Sequence, residues 1–259
     1  MANKKSYGYN VSGGTLFAAK EAYRTIRTNL MFSLAKEGCK TILFTSSIQG
    51  EGKTTTSVNI AFSLAKSNKK VLIMDMDLRS PRVHRILKKS NTPGLTNYLS
   101  GFSSLEEVLH KNVYENLDVI FAGTISPNPA EMVASDSVAR LIEELRKHYD
   151  YIILDTTPIN IVSDALSLVP VSDGVVMVIR PKYIARKEIQ NAMNQLSFVG
   201  AKILGAVANG VQEEKHGYGR GYGRYRYRYR YKYGYGYGYG ARENALQNAE
   251  NHEKEGKTE

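Results

Sequence analysis

Residues 41–65, TILFTSSIQGEGKTTTSVNIAFSLA, constrain the fold of this chain more than any other stretch. An apolar run, a glycine-bearing loop and a helix-forming run follow one another without interruption. Ser47 to Thr54 has the spacing of a phosphate-binding loop, with Ser47 where glycine usually stands. Gly50 and Gly52 let backbone N–H groups close around phosphate oxygens, and the following helix adds the positive end of its dipole. Lys53 carries a point charge to the β- and γ-phosphates, and the Thr54 hydroxyl is placed to coordinate Mg²⁺. The nucleotide-binding set is then Ser47, Gln49, Gly50, Glu51, Gly52, Lys53, Thr54 and Thr55, with ATP and Mg²⁺ as cofactors. A helix cap after a strand would not by itself need Gly-x-Gly-Lys-Thr.

The same alternation continues downstream. Apolar runs at 41–46, 70–75, 116–122, 151–155, 174–179 and 202–208 read as strands. Helical patterning covers 15–37, 53–67, 103–111, 131–148 and 185–198. Continuous apolar strands separated by helices predict an α/β protein of P-loop NTPase type. Its central sheet should be mostly parallel, with helices on both faces. Ligands of such sheets bind outside the carboxyl ends of the strands. The expected division is an arm over 1–14, a nucleotide-binding domain over 15–210, and a tail over 211–259. Apart from Val211 and Leu246 that tail has almost no aliphatic side chains, so it is expected to be disordered.

Two carboxylate motifs end apolar strands on the edge that carries the phosphate loop. VLIMD ends in Asp75 with Asp77 two residues on, and YIILD ends in Asp155. Asp155 suits a Walker B carboxylate holding Mg²⁺, directly or through water. Asp75 and Asp77 can face one side of an extended segment, one toward the metal and one accepting a proton from an attacking hydroxyl. Spacing alone does not divide those roles. Arg79 and Arg82, beside this motif, either contact phosphate or stabilise the loop.

The tail holds a cluster of ten tyrosines within 218–239: Tyr218, Tyr222, Tyr225, Tyr227, Tyr229, Tyr231, Tyr233, Tyr235, Tyr237 and Tyr239. Residues 218–240 also contain five arginines, one lysine and no acid, so they supply six of the net +10 and leave the rest with +4. That remainder is too small to argue for nucleic-acid binding by the folded part. One cysteine, Cys39, excludes an internal disulfide and fits a reducing compartment. No signal-peptide h-region and no bilayer-length apolar run is present, so a cytoplasmic location is expected. His84, His110, His148, His216 and His252 lack metal-ligand spacing. Tyr7 and Tyr9 are further candidate acceptors or plain arm residues.

The loop at 47–54, VLIMDMDLR (72–79 with its flank), IILDTTP and the tyrosine-rich C-terminus together resemble the bacterial tyrosine kinases of capsule and exopolysaccharide systems. Glu21, Arg24 and Arg27 in EAYRTIR match that family's E-x-x-R-x-x-R oligomerisation motif, and SPNPAEM (126–132) is similar to a family loop. The resemblance spans roughly residues 15–240. It implies catalytic roles for Lys53, Asp75, Asp77 and Asp155, with Asp75 as base and Thr54, Asp77 and Asp155 serving the metal. It implies that Asn209 contacts adenine. It also implies phosphorylation of the clustered tyrosines between subunits of a homo-oligomeric ring, and activation by a transmembrane chain-length-regulating adaptor. Membrane association would then come only through that adaptor, with protein substrates in polysaccharide synthesis and export. About 20 residues separate Val211 from the middle of the cluster, a coil of about 25 Å root-mean-square that stretches to roughly 65–70 Å.

Three other readings compete. A partition- or division-type ATPase acting on nucleic acid or a membrane surface would carry a signature lysine where Ile48 stands. Interleaved Tyr and Arg suit stacking on single-stranded nucleic acid. RYRYRYRYKY also alternates with the period of a strand. For Glu21, Arg24 and Arg27 the plain alternative is a solvated helix face with i, i+3 pairing.

Overall fold

The computed structural model describes residues 13–211; the segment 1–12 and the tyrosine-bearing segment 212–259 lie outside the described residues. Within them run α1 (Gly13–Ser33), β1 (Lys40–Ser46), α2 (Lys53–Ala65), β2 (Val71–Asp75), α3 (Val83–Leu87), α4 (Leu95–Leu99) and α5 (Leu105–Val108). There follow β3 (Leu109–Tyr114), β4 (Leu117–Ile120), α6 (Pro129–Val133), α7 (Asp136–Arg146), β5 (Tyr151–Asp155), α8 (Asp164–Ser167), β6 (Gly174–Ile179), α9 (Arg186–Phe198) and β7 (Ile203–Ala208).

The strands form one sheet of seven in the order β3-β4-β2-β5-β1-β6-β7. All pairings are parallel except β3 with β4. Successive strand residues point to opposite faces, so each apolar strand feeds two cores. Leu43, Leu72, Met74, Ile152, Leu154, Val175 and Met177 pack on one face with apolar residues of α6, α7, α8 and α9. Ile42, Phe44, Val71, Ile73, Ile153, Val176 and Val178 pack on the other face with α1, α2 and α3. The expected mostly parallel sheet covered on both faces is what the structure contains.

Register places the chemistry. In the β2–β5 ladder Asp75 stands directly opposite Asp155, and Phe44 of β1 pairs with Asp155 from the other side. The loop leaving β1 therefore opens beside the carboxyl ends of β5 and β2.

Two expected helices resolve differently. Of 103–111 only one turn is helical, started by a capping box in which Ser104 and Glu107 bind each other's backbone N–H. The chain then enters β3, pairing antiparallel with β4 through a tight connection in which Asn116 takes φ 61°. The Asn112 N–H donates to Asp118 Oδ1 at 2.7 Å and fixes this hairpin. Tertiary pairing overrides a helical pattern too short to sustain itself. The stretch 131–148 breaks at Ser135, whose backbone is extended (ψ 146°) and whose hydroxyl donates to Met132 O at 2.8 Å. One expected helix thus becomes α6 and α7, with Pro129 opening α6.

Ile153 lies fully buried in the middle of β5, between α2 and the flanking strands. Ile153→Ala should lower the unfolding free energy by about 2–5 kcal/mol, whereas Phe102→Ala, at a site 83% exposed, should change it by less than about 0.5 kcal/mol. Urea titration of the two variants checks this, and equal midpoints would refute the assignment of the core.

Candidate active site

The phosphate loop runs from Ser47 to the first turn of α2. Gly50 and Gly52 adopt φ of 84° and 91°, a region in which any other residue would be strained. Gly52 caps α2, and the Thr56 N–H donates back to its carbonyl at 2.9 Å. A Cβ on Gly52 would stand 1.8 Å from Asn209 Nδ2, so a side chain there would force the Asn209 amide away from the loop.

Glu51 explains how the loop holds its shape. Its carboxylate is almost fully buried. Oε2 accepts from the N–H groups of Ser47 (2.8 Å) and Ile48 (2.9 Å), and Oε1 from that of Arg180 (3.1 Å). The Glu51 carbonyl accepts from Asn209 Nδ2 at 2.8 Å. The loop is thereby tied to the ends of β6 and β7. Of Glu51, it is the backbone that remains to meet a phosphate. Asn209 likewise directs its amide to this loop. Beyond it, Arg180 stacks 5.2 Å from the ring centre of Tyr183, whose hydroxyl lies beside Gly50.

Lys53 reaches from α2 to the strand ends. Its Nζ lies 3.0 Å from Asp155 Oδ1 and 3.8 Å from Asp77 Oδ2, with Thr54 Oγ1 at 3.4 Å. Ser57, one turn into α2, offers its hydroxyl to Asp155 Oδ1 at 3.1 Å and Thr54 O at 3.0 Å. The other Asp155 oxygen, Oδ2, is buried without a hydrogen-bond partner. A buried carboxylate oxygen in that condition calls for a cation or a donor. Among the described residues no cluster of three His, Cys, Asp or Glu side chains stands ready for a metal. A cation here would need phosphate oxygens and water to complete its shell, which suits Mg²⁺.

Asp75 and Asp77 are separated by environment. Asp75 is wholly buried, with Oδ2 accepting from the N–H groups of Arg82 (3.1 Å) and Val83 (3.0 Å) and Oδ1 from that of Asp77 (3.3 Å). Burial pushes its pKa up, and the neighbouring Asp155 charge adds to that rise. Asp77 Oδ1 accepts from the Ser80 N–H at 3.0 Å while Oδ2 faces Lys53. Its pKa is also raised by burial, against the opposing charge of Lys53. Only Asp77 of the two lines the open cavity.

That cavity, about 400 Å³, has the phosphate loop with Lys53, Thr54 and Thr55 as one wall. Asp77, Ser80, Arg82, Arg85 and Ile86 form the other, and Pro158 also contributes. Arg79 turns away from it and grips the buried Asp164 through Nε at 2.7 Å and Nη2 at 3.2 Å, so it stabilises the loop. Ser57, Asp164, Arg85 and Tyr183 are site neighbours that motif reading missed. Ser57 alone had a signal, lying on the inner face of α2 one turn after Lys53. A larger cavity of about 640 Å³ lies at the amino ends of β2 and β4, around Lys70, Leu109, Asp118 and Tyr149. It contains none of these motifs.

Elsewhere, the Glu21–Arg24 pair is an exposed i, i+3 contact at 2.9 Å. Arg27 instead donates to Ser63 O at 2.9 Å, docking α1 on α2 of the same chain. Cys39 is buried, and burial pushes its thiol up to about 11, far from a nucleophile's range.

Sheet, loop, lysine and strand-end carboxylates define a P-loop protein of the nucleoside-triphosphate-using class. The family described as AAA domain matches at residues 39–206. Tyrosine-protein kinase YwqD of Bacillus subtilis is 40% identical over 196 residues, covering 76% of this chain and 83% of the relative. The kinase domain of Escherichia coli tyrosine kinase ETK superposes with a TM-score of 0.72 at 35% identity, over 79% of this chain and 80% of that one. The division-site protein MinD of Pyrococcus horikoshii, solved with Mg-ADP, shares the fold at 23% identity and a TM-score of 0.57, over 66% of this chain and 70% of that one. The chain belongs to the bacterial tyrosine-protein kinase family.

Gly52→Ala should lower nucleotide affinity by roughly tenfold, because φ of 91° strains any other residue and the new Cβ drives the Asn209 amide off the Glu51 carbonyl. Adding Asn209→Ala should recover part of the loss by removing the atom it meets. Equilibrium binding of a fluorescent ATP analogue reads both, and parental affinity in the single variant would sink the account of the loop.

Proposed function

We propose that this chain transfers the γ-phosphoryl group of ATP to tyrosine hydroxyls, among them the clustered tyrosines of a neighbouring copy. The observation that carries the reading is Lys53 Nζ standing between Asp155 and Asp77 at the mouth of the phosphate loop. The loop amides and Lys53 hold the phosphates and neutralise charge that builds on the transferring group. Thr54, Asp77 and Asp155 would hold Mg²⁺, and the unpartnered Asp155 Oδ2 supports that assignment. Bound there, the ion would withdraw charge from the phosphate oxygens.

In the transfer the phenol oxygen forms a bond to the γ-phosphorus, the bond from phosphorus to the ADP oxygen breaks, and the phenolic proton leaves for a carboxylate. The resemblance makes Asp75 that base. With its oxygens already accepting three N–H groups, Asp75 would need the 77–83 turn to open, so Asp77 is the carboxylate that an entering phenol meets first. Transfer between copies is supported by the length of the tail, whose coil stretches to roughly 65–70 Å at the middle of the cluster. A ring held through Glu21, Arg24 and Arg27, adenine contact by Asn209, and an activating membrane adaptor with control of polysaccharide export complete the reading. No helix among the described residues is long and apolar enough to cross a membrane. Isoleucine at position 48 disfavours the partition-type ATPase.

Mixing separates transfer within a copy from transfer between copies. A Lys53→Met chain with intact tyrosines is incubated with labelled ATP–Mg²⁺ and a chain whose ten clustered tyrosines are phenylalanine. Label should appear on the tail of the Lys53→Met chain in the mixture and not when that chain is alone. Hydrolysis of ATP without phosphotyrosine would reject the kinase reading in favour of an ATPase.

A further inference from the structure

The segment after the Asp75–Asp77 motif, RSPRVHRILKK (79–89), carries five cations and no acid. Arg79 is committed to Asp164. The guanidinium groups of Arg82 and Arg85 have no ion pair and no hydrogen bond among the described residues, and both line the wall of the cavity facing the phosphate loop. Arg82 stands at the N-cap of α3 and Arg85 within its first turn, so one short segment brings both to the cavity. Two guanidinium groups without an ion pair on one cavity wall suit a phosphate, which such groups bind through paired N–H···O contacts.

The donor phosphates belong to the opposite wall, so this pair faces the acceptor. The acceptor cluster is itself cationic: residues 218–240 hold six positive charges and no carboxylate. An unmodified cluster therefore brings Arg82 and Arg85 no anion to bind. The one anion that such a segment can bring is a phosphotyrosine left by an earlier transfer, worth about −1.5 to −2 charges at pH 7. From Tyr225 to Tyr239 every second residue is a tyrosine, so in an extended strand these side chains share a face and recur about every 6.8 Å.

Building on the tyrosine-kinase reading above, we propose that Arg82 and Arg85 form an acceptor-side subsite for phosphotyrosine. It takes a residue phosphorylated in an earlier round and presents a nearby tyrosine to the γ-phosphate. The substrate class it selects is the partly phosphorylated tyrosine cluster of a second copy, and each transfer favours the next.

The test uses the dephosphorylated full chain and three peptides of sequence 225–233: unmodified, carrying phosphotyrosine at position 229, and carrying glutamate there. The parent should show a KM about tenfold lower for the phosphopeptide than for the unmodified one, as charge-assisted contacts to a fork predict. In Arg82→Gln/Arg85→Gln that ratio should fall to near one, and in Arg82→Lys/Arg85→Lys it should be partly kept. A role toward ATP would move the ATP KM and leave the peptide ratio alone. Equal KM values in the parent, or a ratio surviving in the glutamine variant, would overturn the subsite. A glutamate gain as large as that of phosphate would overturn its assignment to phosphotyrosine. If no peptide accepts phosphate, the kinase reading fails. Fluorescence anisotropy of labelled peptides then decides the subsite, with the phosphopeptide binding more tightly than the unmodified one in the parent alone as the supporting result.

Discussion

Lys53 is the tie on which the site depends. It begins α2, reaches across the phosphate loop, and meets carboxylates at the ends of two different strands. Three acids, Asp75, Asp77 and Asp155, sit within a few residues of each other in the register of β2 and β5. Charges so placed repel, and burial withdraws the water that would screen them. One lysine and a set of backbone N–H donors make the arrangement tolerable. The N–H groups of Asp77, Arg82 and Val83 hold Asp75, that of Ser80 holds Asp77, and the Ser57 hydroxyl reaches Asp155.

Glu51 applies the same economy to the phosphate loop. A carboxylate buried inside the loop, bound only by N–H groups of Ser47, Ile48 and Arg180, fixes the curvature from within. Its link to Asn209 carries the end of β7 to Gly52, where a Cβ would meet the Asn209 amide. Loop shape therefore depends on the far strands as well as on its own glycines. Preorganised donors of this kind cost no rearrangement when charge develops on a transferring phosphate.

The acceptor wall is built differently. The segment 79–89 is short, basic and anchored through Arg79–Asp164 and the Asp75 carboxylate. One wall of the cavity is thus made of amides and a lysine suited to a nucleotide, the other of the Asp77 carboxylate and the Arg82 and Arg85 guanidinium groups. A positively charged acceptor segment brings no anion there until it has been modified. A phosphotyrosine places an anion of about −1.5 to −2 on a segment that is still cationic as a whole, and that anion is the group the guanidinium pair can take, so the product of one round is the better substrate of the next.

Much of this was legible in the chain itself. Strand-length apolar runs ending in aspartate, and the spacing Gly-x-Gly-Lys-Thr, are local signals because they follow from backbone geometry and side-chain period alone. They determined the parallel sheet, the phosphate loop, and the presence of Asp75, Asp77 and Asp155 at one edge. Local signals failed where partners lie far along the chain. The β3–β4 hairpin displaced a helical turn because Asp118 and β4 were there to pair with it. The division between Asp75 and Asp77 followed from burial and from the N–H groups of Arg82 and Val83, seven and eight residues ahead of Asp75, which spacing of two cannot reveal. Arg79 and Arg82, equivalent on paper, were separated by Asp164, a residue 85 positions from Arg79. Which groups a cleft brings face to face is settled by packing of the whole sheet, since only there do strand order and register acquire a value.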